Sequence, residues 1–394
     1  MAEPVHLGNL RRPRLAPGLR RASLRRRRAM NIIVIGAGIT GLSTAFNLAH
    51  HGANVTLIEQ GEIPHNRAAS FDQHRIIRHF YPDSDAYGQL VEQALAAWNR
   101  LWRRLGRAQF SETGVLAIST KDGDWSDRSR GALERIGVAY EKLSRSDLQG
   151  RLPQLSLPDH ATGIFTPGGG VLFADRICTD LARNLRQNAV DLLPKHRVVE
   201  IEAESGRVIT ESGETFKGDR ILVAGGAWIG NIVPALARKV TTYRQAVLYL
   251  TPPSQWEAAW RQSPVIVDFG GASGAYALPP VNGCDLKIAV PAHRRLGDPD
   301  KDMSLDFDEA QTILDYLRGD LSEIGQYRQL YLKTCFYTVA PEDRFQLHHD
   351  GRLIAYSGCS GHGFKFGALA GEMLAEVLLG KADADQVGRI LGGY

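Results

Sequence analysis

Short apolar runs rich in β-branched residues recur along the chain, and glycine-rich turns follow several of them. The first, Asn31 to Ile35, predicts a buried strand. Gly36-Ala37-Gly38-Ile39-Thr40-Gly41 comes directly after it, then a helix-like stretch from Leu42 to His50 that ends at Gly52. A second apolar run, Val55 to Ile58, is closed by Glu59. Further on, Val198 to Ile201 and Arg207 to Thr210 predict a hairpin, and Asp219 to Val223 predicts a buried strand running into Ala224-Gly225-Gly226-Ala227. Strands are also expected at Gly114 to Ser119, Gln245 to Leu250, Val265 to Asp268 and Leu286 to Val290. A helix is expected through Leu369, Met373, Val377 and Leu378.

The opening pattern of strand, glycine turn, helix, strand and acidic residue is that of a dinucleotide-binding βαβ unit. Gly36 permits the tight turn, Gly38 lets the backbone approach a pyrophosphate, and Gly41 lets the helix pack on the strand. The helix start offers free N–H groups and a positive dipole end to phosphates. Glu59 can accept hydrogen bonds from both ribose hydroxyls, and its charge would repel a 2′-phosphate, which argues against NADP. A glycine turn without a ligand is the alternative, and the flanking elements weigh against it. The motif alone does not separate FAD from NAD. The later strand into Gly225 returns the chain to this unit after a long excursion, a habit of two-domain flavoproteins.

Composition narrows the class. Of 394 residues, 43% are hydrophobic and 23% charged, as in an ordinary soluble protein of two or three domains. No apolar run is long enough for a transmembrane helix, so no membrane partner is expected. The net charge of +4 divides into +8 over residues 1–29, which hold nine arginines and one acid, and −4 over the rest. That mildly acidic body offers no footprint for nucleic acid. The Arg-rich residues 1–29 read as a disordered extension or as an artefact of a start upstream of Met30. The four cysteines show no CxxC pair and no zinc-ligand spacing, so neither a metal site nor a structural disulfide is expected. A reducing cytoplasm is the default location.

Four stretches go beyond the generic fingerprint. They are Arg75-Ile76-Ile77-Arg78-His79 with Tyr81, then Tyr276 to Lys287, then Lys333-Thr334-Cys335-Phe336-Tyr337, and finally Ser357 to Phe366. With them the chain resembles, over residues 30–382, the monomeric sarcosine oxidase and N-methyltryptophan oxidase family of FAD-dependent amine oxidoreductases, within the D-amino-acid-oxidase-like group. The resemblance implies an α/β (α+β overall) architecture: a Rossmann-type FAD-binding domain with an interleaved antiparallel-sheet substrate domain. Residues 30–108, 172–240 and 340–382 would form the first, and 109–171 with 241–339 the second.

It implies roles as well. Arg78 and Lys365 would hold a substrate carboxylate, and Arg75 would sit near the flavin ring. Lys287 would stand over the flavin face away from the substrate and help O2 accept electrons. Tyr276 and Tyr337 would face the substrate pocket. Cys335 would carry the FAD through a thioether. Gly36, Ala37, Gly38, Ile39, Thr40, Gly41, Glu59, Val198, Gly225 and the run Gly361-His362-Gly363-Phe364-Lys365 would contact the cofactor. The implied reaction oxidises a secondary amino acid, N-methyl or cyclic, to an imine by hydride transfer to flavin N5, with reoxidation by O2 to H2O2. Oligomeric state is left open, a monomer being compatible.

Two departures touch the pocket. The approach to the arginine pair reads Ser70-Phe71-Asp72-Gln73-His74, where the family often has a glycine- and histidine-rich segment. Phe71 suggests a pocket reshaped for a different amine substituent. Pro291 stands where the family has a histidine, and His293 is a candidate to compensate. Competing readings are a dehydrogenase of the same fold, a biosynthetic cyclic-amine desaturase and a non-catalytic FAD-binding protein.

Overall fold

The computed structural model describes residues 29–394 apart from Ala189 and residues 271–273. The reading of the basic tail therefore lies, but for Ala29, outside the described residues. Six strands form one sheet in the order Gln346–Asp350, Leu353–Ser357, Arg220–Val223, Asn31–Ile35, Asn54–Ile58, Asp191–Leu193. Neighbours run parallel except for the first pair. Parallel strands are covered on both faces and so read as unbroken apolar runs. Ile32 and Val34 face a helical layer with Leu42, Phe46 and Leu374, while Ile33 and Ile35 pack with Val208, Ile221 and Ile229. A meander of Val198–Glu202, Arg207–Thr210 and Thr215–Lys217 supplies part of that second layer.

The first helix spans Ile39–His50 and so begins inside the glycine turn, ahead of its apolar periodicity. Glycine makes this possible. Gly36 has φ +99°, and a Cβ there would lie 2.4 Å from the Ala224 carbonyl oxygen; a Cβ on Gly41 would lie 1.8 Å from the Gly36 oxygen. Strand end, turn and helix start are therefore packed backbone against backbone.

A nine-stranded sheet forms the second region, in the order Arg295–Leu296, Thr241–Thr251, Leu286–Ala289, Tyr276–Leu278, Val265–Asp268, Val115–Ser119, Thr162–Thr166, Glu141–Leu143. Arg328–Val339 pairs along the other side of Thr241–Thr251. The expected antiparallel sheet holds except at one seam, where Val265–Asp268 runs parallel to Val115–Ser119. Those two strands come from distant passages, so no hairpin dictates their direction. A small sheet of Arg75–Ile77, Gly170–Leu172 and Phe110–Ser111 stands where the chain passes between the regions. Among the described residues no helix is long and apolar enough to cross a membrane.

The helix Asp85–Leu105 is capped by the Ser84 side chain and ended by Gly106 in the left-handed region. Its Trp98 indole donates to the Lys365 carbonyl at 2.6 Å, which fixes the turn Phe364–Phe366 ahead of helix Gly367–Leu378. That last helix packs closely on the first, for a Cβ on Gly371 would lie 2.4 Å from the Ser43 Cβ. Gly371→Val should therefore destabilise the protein by about 1–3 kcal/mol. Urea unfolding should show this as a lower midpoint with an unchanged slope.

Candidate active site

A cavity of about 670 Å³ opens between the two regions. Gly36, Gly38, Ile39, Thr40, Glu59, Val198 and Gly225 line it, and so do Arg75, Arg78, Tyr276, Lys287, Cys335, Tyr337 and the run Gly361 to Lys365. Of the candidate residues, Ala37 and Gly41 are not on its wall. Ala37 instead donates its N–H to Glu59 Oε2 at 2.8 Å, and Gly41 is packed on Gly36.

Glu59 is buried and also accepts from the Gly61 N–H at 3.0 Å, with His65 Nδ1 at 3.1 Å. Burial pushes its carboxyl up, but the bonds from His65, Ala37 and Gly61 outweigh this and hold it below the usual range. It is a fixed carboxylate at the tip of the second strand. At the helix start, the Ile39 N–H donates to the Ser70 hydroxyl at 3.0 Å.

Behind the wall, Asp72 is buried and gathers partners from several segments, among them Arg75 and Lys287, which do line the cavity. Arg75 and Lys287 both pair with it, the Tyr249 hydroxyl donates to it, and Lys333 Nζ lies at 3.9 Å. Burial disfavours the carboxylate, but Arg75, Lys287 and Lys333 together hold it well below the usual range. Lys287 is fully buried rather than a surface strand lysine. Burial and then Arg75 push it down to about 8, against the opposing pull of Asp72. His74 is pushed down to about 3 by burial and then by Lys287, so its imidazole is neutral. Arg75 Nη2 lies 3.7 Å from the thiol sulfur of Cys335, which is partly exposed.

Arg78 and Lys365 meet around Tyr81. The Arg78 guanidinium carbon lies 4.8 Å from the Tyr81 ring centroid and 5.2 Å from that of Trp125. Lys365 Nζ lies 5.1 Å from the same Tyr81 centroid and donates to its hydroxyl at 2.8 Å and to the His362 carbonyl at 3.2 Å. His362 Nε2 faces the Asp343 carbonyl at 2.9 Å, which can only accept, so Nε2 carries the proton and Nδ1 accepts from Tyr81 at 3.0 Å. Burial, then Lys365, push His362 well below its usual range, in keeping with a neutral ring. Among the described residues neither Arg78 nor Lys365 has an acidic partner within 4 Å, and the buried Nη1 of Arg78 has no hydrogen-bond partner. Burial lowers the pKa of both, and Arg78 lowers Lys365 further, well below the usual lysine range. An anion placed between them would remove that penalty.

Two expectations are corrected. Phe71 is not among the residues on the cavity wall; its carbonyl accepts from Lys333, whose Nζ lies 5.5 Å from the Phe71 ring centroid. Nor does His293 compensate for Pro291. It turns to Glu309 at 3.2 Å, a carboxylate gripped by the buried Arg244, and Arg294 lines the cavity instead. Sequence reasoning left Asp72, Tyr81 and Trp125 without a role. Asp72 carried a signal, since a lone acid three positions before Arg75 in a cation-rich site has to partner something.

A dinucleotide-binding unit opening on a buried cationic cavity, roofed by a separate β-sheet, defines a two-domain dinucleotide-dependent oxidoreductase. Residues 31–377 match the family of FAD dependent oxidoreductases. The chain is 28% identical to the monomeric sarcosine oxidase of Bacillus sp. (strain B-0618), covering 90% of this chain and 94% of that one. Identity to the peroxisomal sarcosine oxidase of Mus musculus is 28%, covering 88% and 91%. It is 25% to an N-methyl-L-tryptophan oxidase of Yersinia pestis (strain Pestoides F), covering 88% and 94%. Among solved structures, a Tyr258Phe mutant of NikD, an unusual amino acid oxidase essential for nikkomycin biosynthesis, superposes with TM-score 0.79 at 19% identity, covering 92% and 97%. The L-proline dehydrogenase of P. horikoshii superposes with TM-score 0.77 at 20% identity, covering 90% and 95%. The chain belongs to the FAD dependent oxidoreductase family and is an FAD-dependent amine oxidoreductase.

The residues fit FAD. Gly36 and Gly41 stand where a Cβ would collide with backbone, the helix start and Glu59 border the cavity, and an open thiol lies farther along its wall. The cation pair around Tyr81 makes a further prediction. A simple carboxylate such as acetate should perturb the flavin absorbance on binding. Arg78→Met should weaken that binding by about 2 kcal/mol, roughly thirtyfold. Because Lys365 has its pKa lowered, affinity should fall as pH rises through that pKa. Calorimetry in buffers of different ionisation enthalpy should register proton uptake on binding above it.

Proposed function

We propose that this enzyme oxidises a small secondary amino acid, N-methyl or cyclic, to the imine, with O2 as final electron acceptor and H2O2 as product. The observation that supports it best is the convergence of Arg78 and Lys365 on Tyr81 with no acid among the described residues paired to either. FAD, when bound, supplies the hydride acceptor at N5 and the route by which electrons reach O2.

The residues supply binding, orientation and electrostatics. The planar Arg78 guanidinium can take a carboxylate through two parallel hydrogen bonds, which fixes direction as well as charge. Lys365 already uses protons on Tyr81 and the His362 carbonyl, and a third remains for the ligand. Holding the acid group in this way aims the adjacent C–H bond, and such positioning can lower a barrier by several kcal/mol. Tyr276 and Tyr337 line the same cavity; burial pushes the Tyr276 phenol up to about 12 and the Tyr337 phenol up as well, so both remain neutral. Lys287 would stabilise charge developing on oxygen. Cys335 would hold the flavin by a thioether to its 8α-methyl carbon.

A dehydrogenase reading has one observation in its favour: the Asp72 carboxylate is paired directly with Lys287 and offsets part of its field. Oxygen uptake during turnover separates the two.

Three measurements test the main reading. Amines lacking a carboxylate should turn over far more slowly than their amino acid counterparts; equal turnover would remove the clamp. In Lys287→Met, stopped-flow should show reoxidation by O2 slowed roughly a hundredfold, with anaerobic reduction little changed. Yellow colour should stay with acid-precipitated protein and leave the pellet of Cys335→Ala. A colourless pellet from the unaltered protein would refute the covalent link.

A further inference from the structure

The Asp72 cluster is separate from the Arg78–Lys365 pair, and Asp72 itself lies behind the cavity wall, paired with two residues that line it, Arg75 and Lys287. Asp72 is 2% exposed and is shared by Arg75, Lys287, the Tyr249 hydroxyl and, at 3.9 Å, Lys333. Lys287 Nζ also faces the His74 carbonyl at 3.3 Å. The lysine is therefore half of a buried ion pair and is anchored from two sides.

We propose that Asp72 is the positioning residue that keeps Lys287 in place and charged, and thereby sets the pH range over which this site passes electrons to oxygen. This rests on the reading of Lys287 as the charge that assists O2. The physical argument is one of charge balance. Without the carboxylate, Arg75 and Lys287 would be neighbouring like charges in a dry site. A guanidinium keeps its proton under such conditions, and a lysine yields it.

The groups facing Lys287 come from every element around it. Asp72 and His74 belong to the approach segment and Arg75 to the short strand. Tyr249 is on Thr241–Thr251, its ring centroid 5.9 Å from Nζ, and Cys335 is on Arg328–Val339. His74 is neutral and Arg75 stays charged. Burial and Asp72 push the Tyr249 phenol far up. Cys335, as a thioether, would have no proton to lose. Lys287 is pushed down to about 8, and Lys333 on Arg328–Val339 is lowered as well, by burial first.

The test uses the FAD-loaded protein and two readouts across pH: the midpoint potential of the flavin by dye equilibration, and the rate of reoxidation by O2 after anaerobic reduction. Both should inflect near pH 8 in the unaltered protein, and Lys287→Met should lose that inflection. In Asp72→Asn the inflection should move down by about one pH unit or more. Lys333→Met, at a partly exposed position, removes a cation that competes for Asp72 and should move the inflection up. This second variant decides the matter if Asp72→Asn does not fold. An inflection unmoved in Asp72→Asn, unmoved in Lys333→Met, or retained in Lys287→Met overturns the proposal. A potential that follows Asp72 while Lys287→Met leaves reoxidation unaltered would uphold the ion pair but overturn its link to oxygen, so the two failures are distinguishable.

Discussion

Burying positive charge is costly, and Arg75, Arg78, Lys287 and Lys365 all stand on the wall of one cavity here. The structure treats them in two ways. Arg75 and Lys287 are compensated inside the protein by Asp72. Among the described residues Arg78 and Lys365 have aromatic faces, a hydroxyl and a carbonyl, which soften the charge without cancelling it. Removing a carboxylate from the first pair would leave an uncompensated charge, whereas bringing a carboxylate to the second relieves one.

That contrast depends on elements far from the chemistry. Arg75 and Arg78 stand three positions apart on extended backbone, so one turns toward Cys335 and the other toward Tyr81 and Trp125. Lys365 sits on a short turn whose carbonyl is held by the Trp98 indole. The helix behind that turn is locked against the first helix of the nucleotide unit at Gly371 and Ser43. Packing in the helical layer thus places Lys365, one half of the cation pair. A change at Gly371 can reach the pocket without touching a ligand.

Much of the fold was legible because its signals are local. The parallel strands are apolar on both faces, and the glycine spacing encodes a turn in which Gly36 and Gly41 meet backbone directly. The arginine pair, Cys335, Lys287 and Lys365 were legible through short stretches that resemble a known family, and the cavity brings them to one wall. Partners were not legible. Asp72 and Lys287 are separated by 215 positions, and Tyr81 and Lys365 by 284. No periodicity links residues that far apart. His293 shows the converse: its spacing suggested the pocket, but the acid of Glu309, already fixed by Arg244, captured it.

The separation of the two cation pairs has a functional consequence. In the proposed function Lys365 would serve the ligand, whose negative charge would offset the burial and the Arg78 field that depress the Lys365 pKa. Lys287 is held whether or not a ligand is bound, because its counter-charge is part of the chain. On that reading substrate capture and electron delivery would rest on different titrations, one coupled to ligand binding and one fixed by the fold. A single shared cation could not serve both, since a carboxylate neutralising it would weaken the field available to oxygen.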